Sequence, residues 1–177
     1  MAYIRASSPE YKSLTLTQRL ENAINFFADP TTDYYDKSIH QRLRVVSASP
    51  ASPSSDPPTP AKCTFALEVP QSFCQPHRAL HGGATATIFD ACTTTSLCLV
   101  NGEGFWEYMG VSRTLSVTYL APARPGETVE IECEVLAIGR RLAGLRAVMS
   151  KRGKDGRRVP VATCDHGKVN VDPKPKI

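Results

Sequence analysis

Between Arg78 and Glu103 the sequence carries a single formal charge, Asp90, inside a run that is otherwise small or apolar. Removing a carboxylate from water is costly unless it is paired or hydrogen-bonded, and desolvation makes it more basic, the property a general base or nucleophile needs near neutral pH. A purely structural role is also open to it, with the side chain reaching the surface or satisfying a neighbouring backbone group or Thr hydroxyl. Eight residues earlier, Gly82 belongs to the tripeptide His81-Gly82-Gly83. At the start of a helix the N–H groups of Gly82, Gly83 and Ala84 have no intrahelical partner, and two glycines let a carbonyl oxygen approach them closely. That is an oxyanion site; a tight turn into a helix, with His81 a satisfied structural histidine, accounts for the same three residues. Eight residues span roughly 12 Å of helix axis, so one helix does not bring the two groups together. A second copy packed antiparallel would set Asp90 of one chain against Gly82 and Gly83 of the other.

The elements that carry these residues can be read from periodicity. Residues 84–100 are small or aliphatic all round, which suits a helix enclosed by sheet. Six Ser/Thr and Asp90 in that run argue against a membrane span. Upstream, Leu16, Leu20, Ala23, Ile24 and Phe27 mark one face of a helix that Thr15 and Gln18 can open as a capping box and Asp29-Pro30 ends. Residues 43–48 and 62–69 alternate as strands, joined by residues 50–61 with five prolines and three serines, an extended connection. From residue 111 the period is two, with Leu115, Val117, Tyr119; then Val129, Ile131, Cys133, Val135; then Leu145, Ala147, Met149; and last Val159, Val161, Thr163. Turn signals at residues 123–127, 139–141 and 153–156 separate these four strands, and such short connections predict antiparallel neighbours. The class is α+β, one helix packed on a curved antiparallel sheet.

A chain of 177 residues, 41% hydrophobic and 21% charged, fits a single soluble domain. Its organisation reads as a helical extension over residues 1–40, a domain over 41–172 and a tail over 173–177. The formal charge of +4 is uneven, since residues 1–138 hold 10 Lys/Arg against 14 Asp/Glu and residues 139–177 hold 11 against 3. The basic end predicts an anionic partner. Nucleic acid is disfavoured, because the basic residues are not interleaved with aromatics and accompany no helix-turn-helix or zinc motif. Six cysteines without a Cys-x-x-Cys pair give neither a zinc ribbon nor a redox motif, and no metal site is expected. With no apolar secretory core near residue 1, the thiols read as free and the protein as intracellular, in the cytoplasm, with mitochondria as the alternative.

The run from His81 to Asp90, the strand at residues 111–119, Ala121-Pro122-Ala123 and Gly126-Glu127 together resemble the hotdog-fold thioesterases of the PaaI and THEM (thioesterase superfamily member) type, over residues 62–170. The resemblance implies a sheet wrapped round a central helix, a homodimer or homotetramer with its active site between subunits, and hydrolysis of acyl-coenzyme A. No cofactor is implied, coenzyme A being part of the substrate. It implies Asp90 as general base or nucleophile, Gly82 or Gly83 N–H polarising the thioester carbonyl, His81 supporting the loop and Ser112 bonding the reacting region. Gln75 stands six residues before His81, where the family often has Asn, and its extra methylene shifts a positioned water by roughly an ångström. Arg78 replaces the usual Gly of the loop. In the same register Arg140 and Arg141 at a hairpin turn, Arg124, His166 and Lys168 fall near the coenzyme phosphates, which a guanidinium fork suits well. Two rivals follow from the departures: a non-catalytic acyl-CoA-binding module, and a dehydratase or isomerase for which His77 is the sole second residue.

Overall fold

A computed structural model describes residues 4–52, 54 and 60–173. Half of the Pro-rich connection and nearly all of the tail expected from the sequence lie outside the described residues.

Three helices open the chain, α1 (Pro9–Ser13), α2 (Leu16–Phe27) and α3 (Lys37–His40). The capping box forms at α2, the Thr15 hydroxyl accepting from Gln18 N and the Gln18 side chain accepting from Thr15 N. The inward stripe of α2, Leu20, Ala23 and Ile24, is part of the common core with the sheet. Then come β1 (Arg44–Ser49), β2 (Ala61–Glu68), the central helix α4 (Gly82–Ser96), β3 (Val111–Tyr119), β4 (Thr128–Ile138), β5 (Leu142–Arg152) and β6 (Arg158–Val169). One six-stranded antiparallel sheet results, in the order β1-β2-β4-β5-β6-β3, with α4 against its concave face. Ile88, Phe89 and Cys92 of α4 join Phe65, Ile131, Cys133, Leu145 and Met149 of the strands in the core. The convex face is charged, with Lys62–Glu134, Glu132–Arg158 and Arg146–Asp165 pairs. Such pairs stabilise little and mark the wet side. This is the α+β hotdog arrangement, with its extra N-terminal helix.

Two expectations are corrected. β3 does not pair with β4 but crosses to the far edge and pairs with β6. The intervening segment cannot be a hairpin, because three strand spacings, roughly 14 Å, separate the two. It travels across the end of the sheet, with Leu120 and Ala121 N–H on Val161 O, Leu80 N–H on Ala123 O and Gly126 N–H on Val69 O. The inward face of β6 is also carried by the opposite set of residues. Met149 pairs with Ala162 and Ser150 with Pro160, so Val161 is an extra residue and the strand changes phase there. Beyond it Ala162, Cys164, His166 and Lys168 point inward.

Candidate active site

The first turn of α4 is organised by its own cap. The Gly83 N–H donates to His81 Nδ1 at 2.9 Å, so His81 carries its proton on Nε2. That bond removes Gly83 from the expected oxyanion site. Gly82 and Ala84 keep N–H groups without a partner among the described residues. Tyr119, on β3, donates its hydroxyl to Gly82 O at 2.9 Å, and its ring lies 3.4 Å from where a Cβ on Gly82 would be. Gln75, held by its N–H on Ala79 O, lines a cavity of about 380 Å³ with Gly82, Thr85, Tyr119 and Pro122. Arg78, at the usual glycine position of this loop, has φ +57°, a conformation glycine adopts without cost.

At the middle of α4, Asp90 Oδ1 accepts from the Ser112 hydroxyl at 2.6 Å, and His166 Nε2 lies 3.3 Å from the same oxygen and 3.0 Å from Ser112 Oγ. The other ring nitrogen, Nδ1, is 2.6 Å from Thr93 Oγ1. The Asp90 side chain is 42% exposed, so it is a reachable carboxylate supported by hydrogen bonds rather than a buried one. Burial pushes His166 down to about 4, the Lys168 charge adding to this and Asp90 opposing it, so the imidazole is neutral. The four groups have two self-consistent proton arrangements. With Asp90 ionised, Thr93 donates to Nδ1, and Nε2–H and the Ser112 hydroxyl point toward the carboxylate. With Asp90 protonated the direction reverses, Ser112 donating to Nε2, and Nδ1–H to Thr93, whose hydroxyl then uses Phe89 O at 2.6 Å. Neither state orphans a buried group.

A β-bulge aims Ser112. In β3, Leu115, Val117 and Tyr119 pair with His166, Cys164 and Ala162, and Ser112 pairs with Lys168, all on the concave face. Strict alternation would turn Ser112 outward, but the register shift between Ser112 and Thr114 inserts Arg113 and restores it. The preceding loop is fixed by Gly110, whose φ is +63° and where a Cβ would fall 2.3 Å from Val169 O. Asp172 also holds this loop, accepting from Glu107 and Tyr108 N–H at 3.0 and 3.1 Å.

Of the expected phosphate-facing residues, Arg140 and Arg141 are exposed at the β4–β5 turn, at the end of the sheet where Val169 pairs with both Leu142 and Val111. Arg124 is exposed at the other end, one residue from the Leu80–Ala123 contact. His166 and Lys168 do not face outward; they are 1% and 2% exposed and turn toward α4, because of the phase change in β6. Lys168 Nζ donates to Thr94 Oγ1 at 2.7 Å, and burial lowers it to about 8, with Asp90 opposing. His77 is exposed in a turn. Thr93, Thr94 and Tyr119 were not anticipated; the helical offset of three and four from Asp90 was the available signal for the two threonines. Among the described residues no three His, Cys, Asp or Glu side chains could hold a metal ion, and no helix is long and apolar enough to cross a membrane.

Residues 77–156 match the family model of the thioesterase superfamily. Acyl-coenzyme A thioesterase 13 of Mus musculus is 34% identical over 131 residues, 73% of this chain and 80% of that protein. Zebrafish thioesterase superfamily member 2 superposes with a TM-score of 0.68 at 26% identity, covering 88% of this chain and 98% of the other. A hypothetical thioesterase protein from Streptococcus pneumoniae, solved with coenzyme A, shares the fold with a TM-score of 0.57 at 15% identity, covering 73% and 85% of the two chains. Fold and relatives define a hotdog-fold thioester hydrolase. The chain belongs to the thioesterase superfamily.

Proposed function

We propose that this enzyme hydrolyses acyl-coenzyme A thioesters at a site assembled from two copies of the chain. The observation that carries the reading is the hydrogen-bonded pair of Asp90 and Ser112, reachable from solvent and set apart along α4 from the free N–H of Gly82. Gly82 is eight residues away, roughly 12 Å along the helix. β3 is an edge strand whose Val111, Leu115 and Tyr119 are exposed, the kind of edge that pairs with another chain. Antiparallel pairing there would run the two α4 helices antiparallel and set Asp90 of one protomer against Gly82 of the other.

In that site Asp90 takes a proton from water through its second oxygen while Ser112 and His166 hold the first. The hydroxide attacks the thioester carbonyl, whose oxygen gathers charge against Gly82 N–H, with the Gln75 amide lining the same cavity. The C–S bond then breaks and the thiolate leaves, taking the proton. The relative named an acyl-coenzyme A thioesterase and the coenzyme A-bound relative support this substrate class. Arg140, Arg141 and Arg124, exposed at the two ends, are suited to the coenzyme phosphates. Six unpaired cysteines fit a reducing, cytoplasmic setting.

Free-thiol release from a panel of acyl-CoAs tests the activity, and mixing tests the assembly. Asp90→Asn and Gly82→Val homomers should each be inactive, whereas refolding them together should restore up to a quarter of wild-type turnover, since half of the molecules become heterodimers with one intact site each. Absence of recovery, with both variants folded, would refute the shared site.

A further inference from the structure

The cavity beside Asp90 has a volume of about 360 Å³ and is lined by Lys168, a buried ammonium whose hydrogen-bonding capacity the described residues do not meet. Lys168 is 2% exposed and donates to Thr94 Oγ1, but among the described residues no carboxylate lies within ion-pair distance of its Nζ. An ammonium has three N–H donors, and one is used. Thr95 and His40 line the same cavity, but Thr95 Oγ1 and His40 Nδ1 are sealed from it, without a partner among the described residues. Unmet buried polar groups are rare in folded proteins and call for an explanation, and the spare donors of Lys168 belong to a side chain lining a cavity that opens at Asp90.

Their position relative to the chemistry follows from register. β6 places His166 against Asp90 and, two residues on, Lys168 against Thr94. Two strand residues and four helical residues both advance roughly 6 to 7 Å, so Lys168 meets α4 about one turn beyond the contact of His166 with Asp90. Phe27 and Met109 supply apolar wall, and Asp36, which accepts from or pairs with His40 Nε2 at 3.0 Å, adds a second carboxylate to that of Asp90. Two carboxylates against one ammonium disfavour a third negative charge but leave donors open to a neutral acceptor.

On the thioesterase reading above, we propose that this cavity is the acyl pocket and that it selects acyl groups bearing a neutral oxygen, hydroxyl or keto, a few bonds beyond the thioester carbonyl. Lys168 donates to that oxygen. A saturated chain would leave the donors unpaired, and a carboxylate would meet Asp90 and Asp36.

The test is kcat/KM, by free-thiol release, for butyryl-, 3-hydroxybutyryl-, 3-oxobutyryl- and succinyl-CoA. A hydrogen bond to a charged group predicts an advantage of about 10- to 100-fold for the two neutral oxygenated substrates over butyryl-CoA. That ratio should collapse toward one in Lys168→Met and in Lys168→Leu. Equal wild-type rates on butyryl- and oxygenated substrates, or an unchanged ratio in Lys168→Met, would overturn the proposal while leaving thioester hydrolysis standing. A preference for succinyl-CoA would overturn the choice of a neutral group. Turnover confined to long saturated acyl-CoAs would overturn the pocket assignment, and no turnover of any acyl-CoA would remove both readings. Should Lys168→Met not fold, the wild-type ratios and Lys168→Leu decide.

Discussion

In the proposed mechanism Ser112 acts through Asp90, and a double-mutant cycle separates this from an independent role. The Ser112 hydroxyl reaches Asp90 Oδ1 at 2.6 Å, a short charge-assisted bond at a half-exposed carboxylate. Such bonds contribute about 1.5–3 kcal/mol when shielded, and exposure puts this one toward the low end, about 1–2 kcal/mol, or 5- to 30-fold in rate. Ser112→Ala should lower kcat by that factor. Asp90→Asn keeps an oxygen for the Ser112 hydroxyl but removes the proton acceptor, so kcat should fall about 10²- to 10⁴-fold with stability changed by less than about 1 kcal/mol. In the double variant Ser112 has no base left to orient, and kcat should equal that of Asp90→Asn alone. The assay is free-thiol release under saturating acyl-CoA, with thermal unfolding as the control. Full additivity, the Ser112→Ala loss recurring in the Asp90→Asn background, would show that Ser112 binds substrate or water directly and would refute the relay.

Three other outcomes are expected. Gly110→Ala drives a methyl to within 2.3 Å of Val169 O and 2.7 Å of the Trp106 ring at positive φ, and should cost about 3 kcal/mol or more, read as a lowered Tm. His166, pushed down to about 4 in the fold against an ordinary 6.5, adds stability that is complete above pH 6.5 and is lost as pH falls toward 4; the loss should be on the order of 3 kcal/mol and should vanish in His166→Asn, by urea unfolding across that window. Tyr119→Phe removes the hydroxyl bonded to Gly82 O and should lower kcat/KM about 3- to 10-fold while leaving Tm nearly unchanged, the residue being exposed.

The central helix, the capped α2 and the extents of β3 to β6 were legible because each carries a clear period or cap in the sequence. Asp90 was legible because a charge in an apolar helix is conspicuous, and Gly82 because free N–H groups at a helix start follow from backbone geometry. The partners of Asp90 were harder. Reading β6 as Val159, Val161 and Thr163 inward assumes that inward means apolar, so the extra residue at Val161 reversed the phase and hid His166 and Lys168 in plain view. The same blindness to bulges would have turned Ser112 outward had alternation from Leu115 been the sole guide. The far-edge position of β3 was not legible at all, since a short connecting segment reads as a hairpin unless the curvature of the sheet is known. The cap at Gly83 depended on one imidazole rotamer, which no pattern encodes.

In the proposed mechanism the extra residue at Arg113 ties turnover to strand length. Deleting it would leave the edge strand, the acyl cavity and every residue type of the site in place, while rotating the Ser112 hydroxyl to the convex side of the sheet. Binding and turnover are therefore separable by a one-residue change in length with no substitution among the functional side chains. A relative that keeps Asp90, Gly82 and Ser112 but lacks one residue between Ser112 and Leu115 would be expected to hold acyl-CoA as well and to hydrolyse it about 5- to 30-fold more slowly, the loss expected of Ser112→Ala.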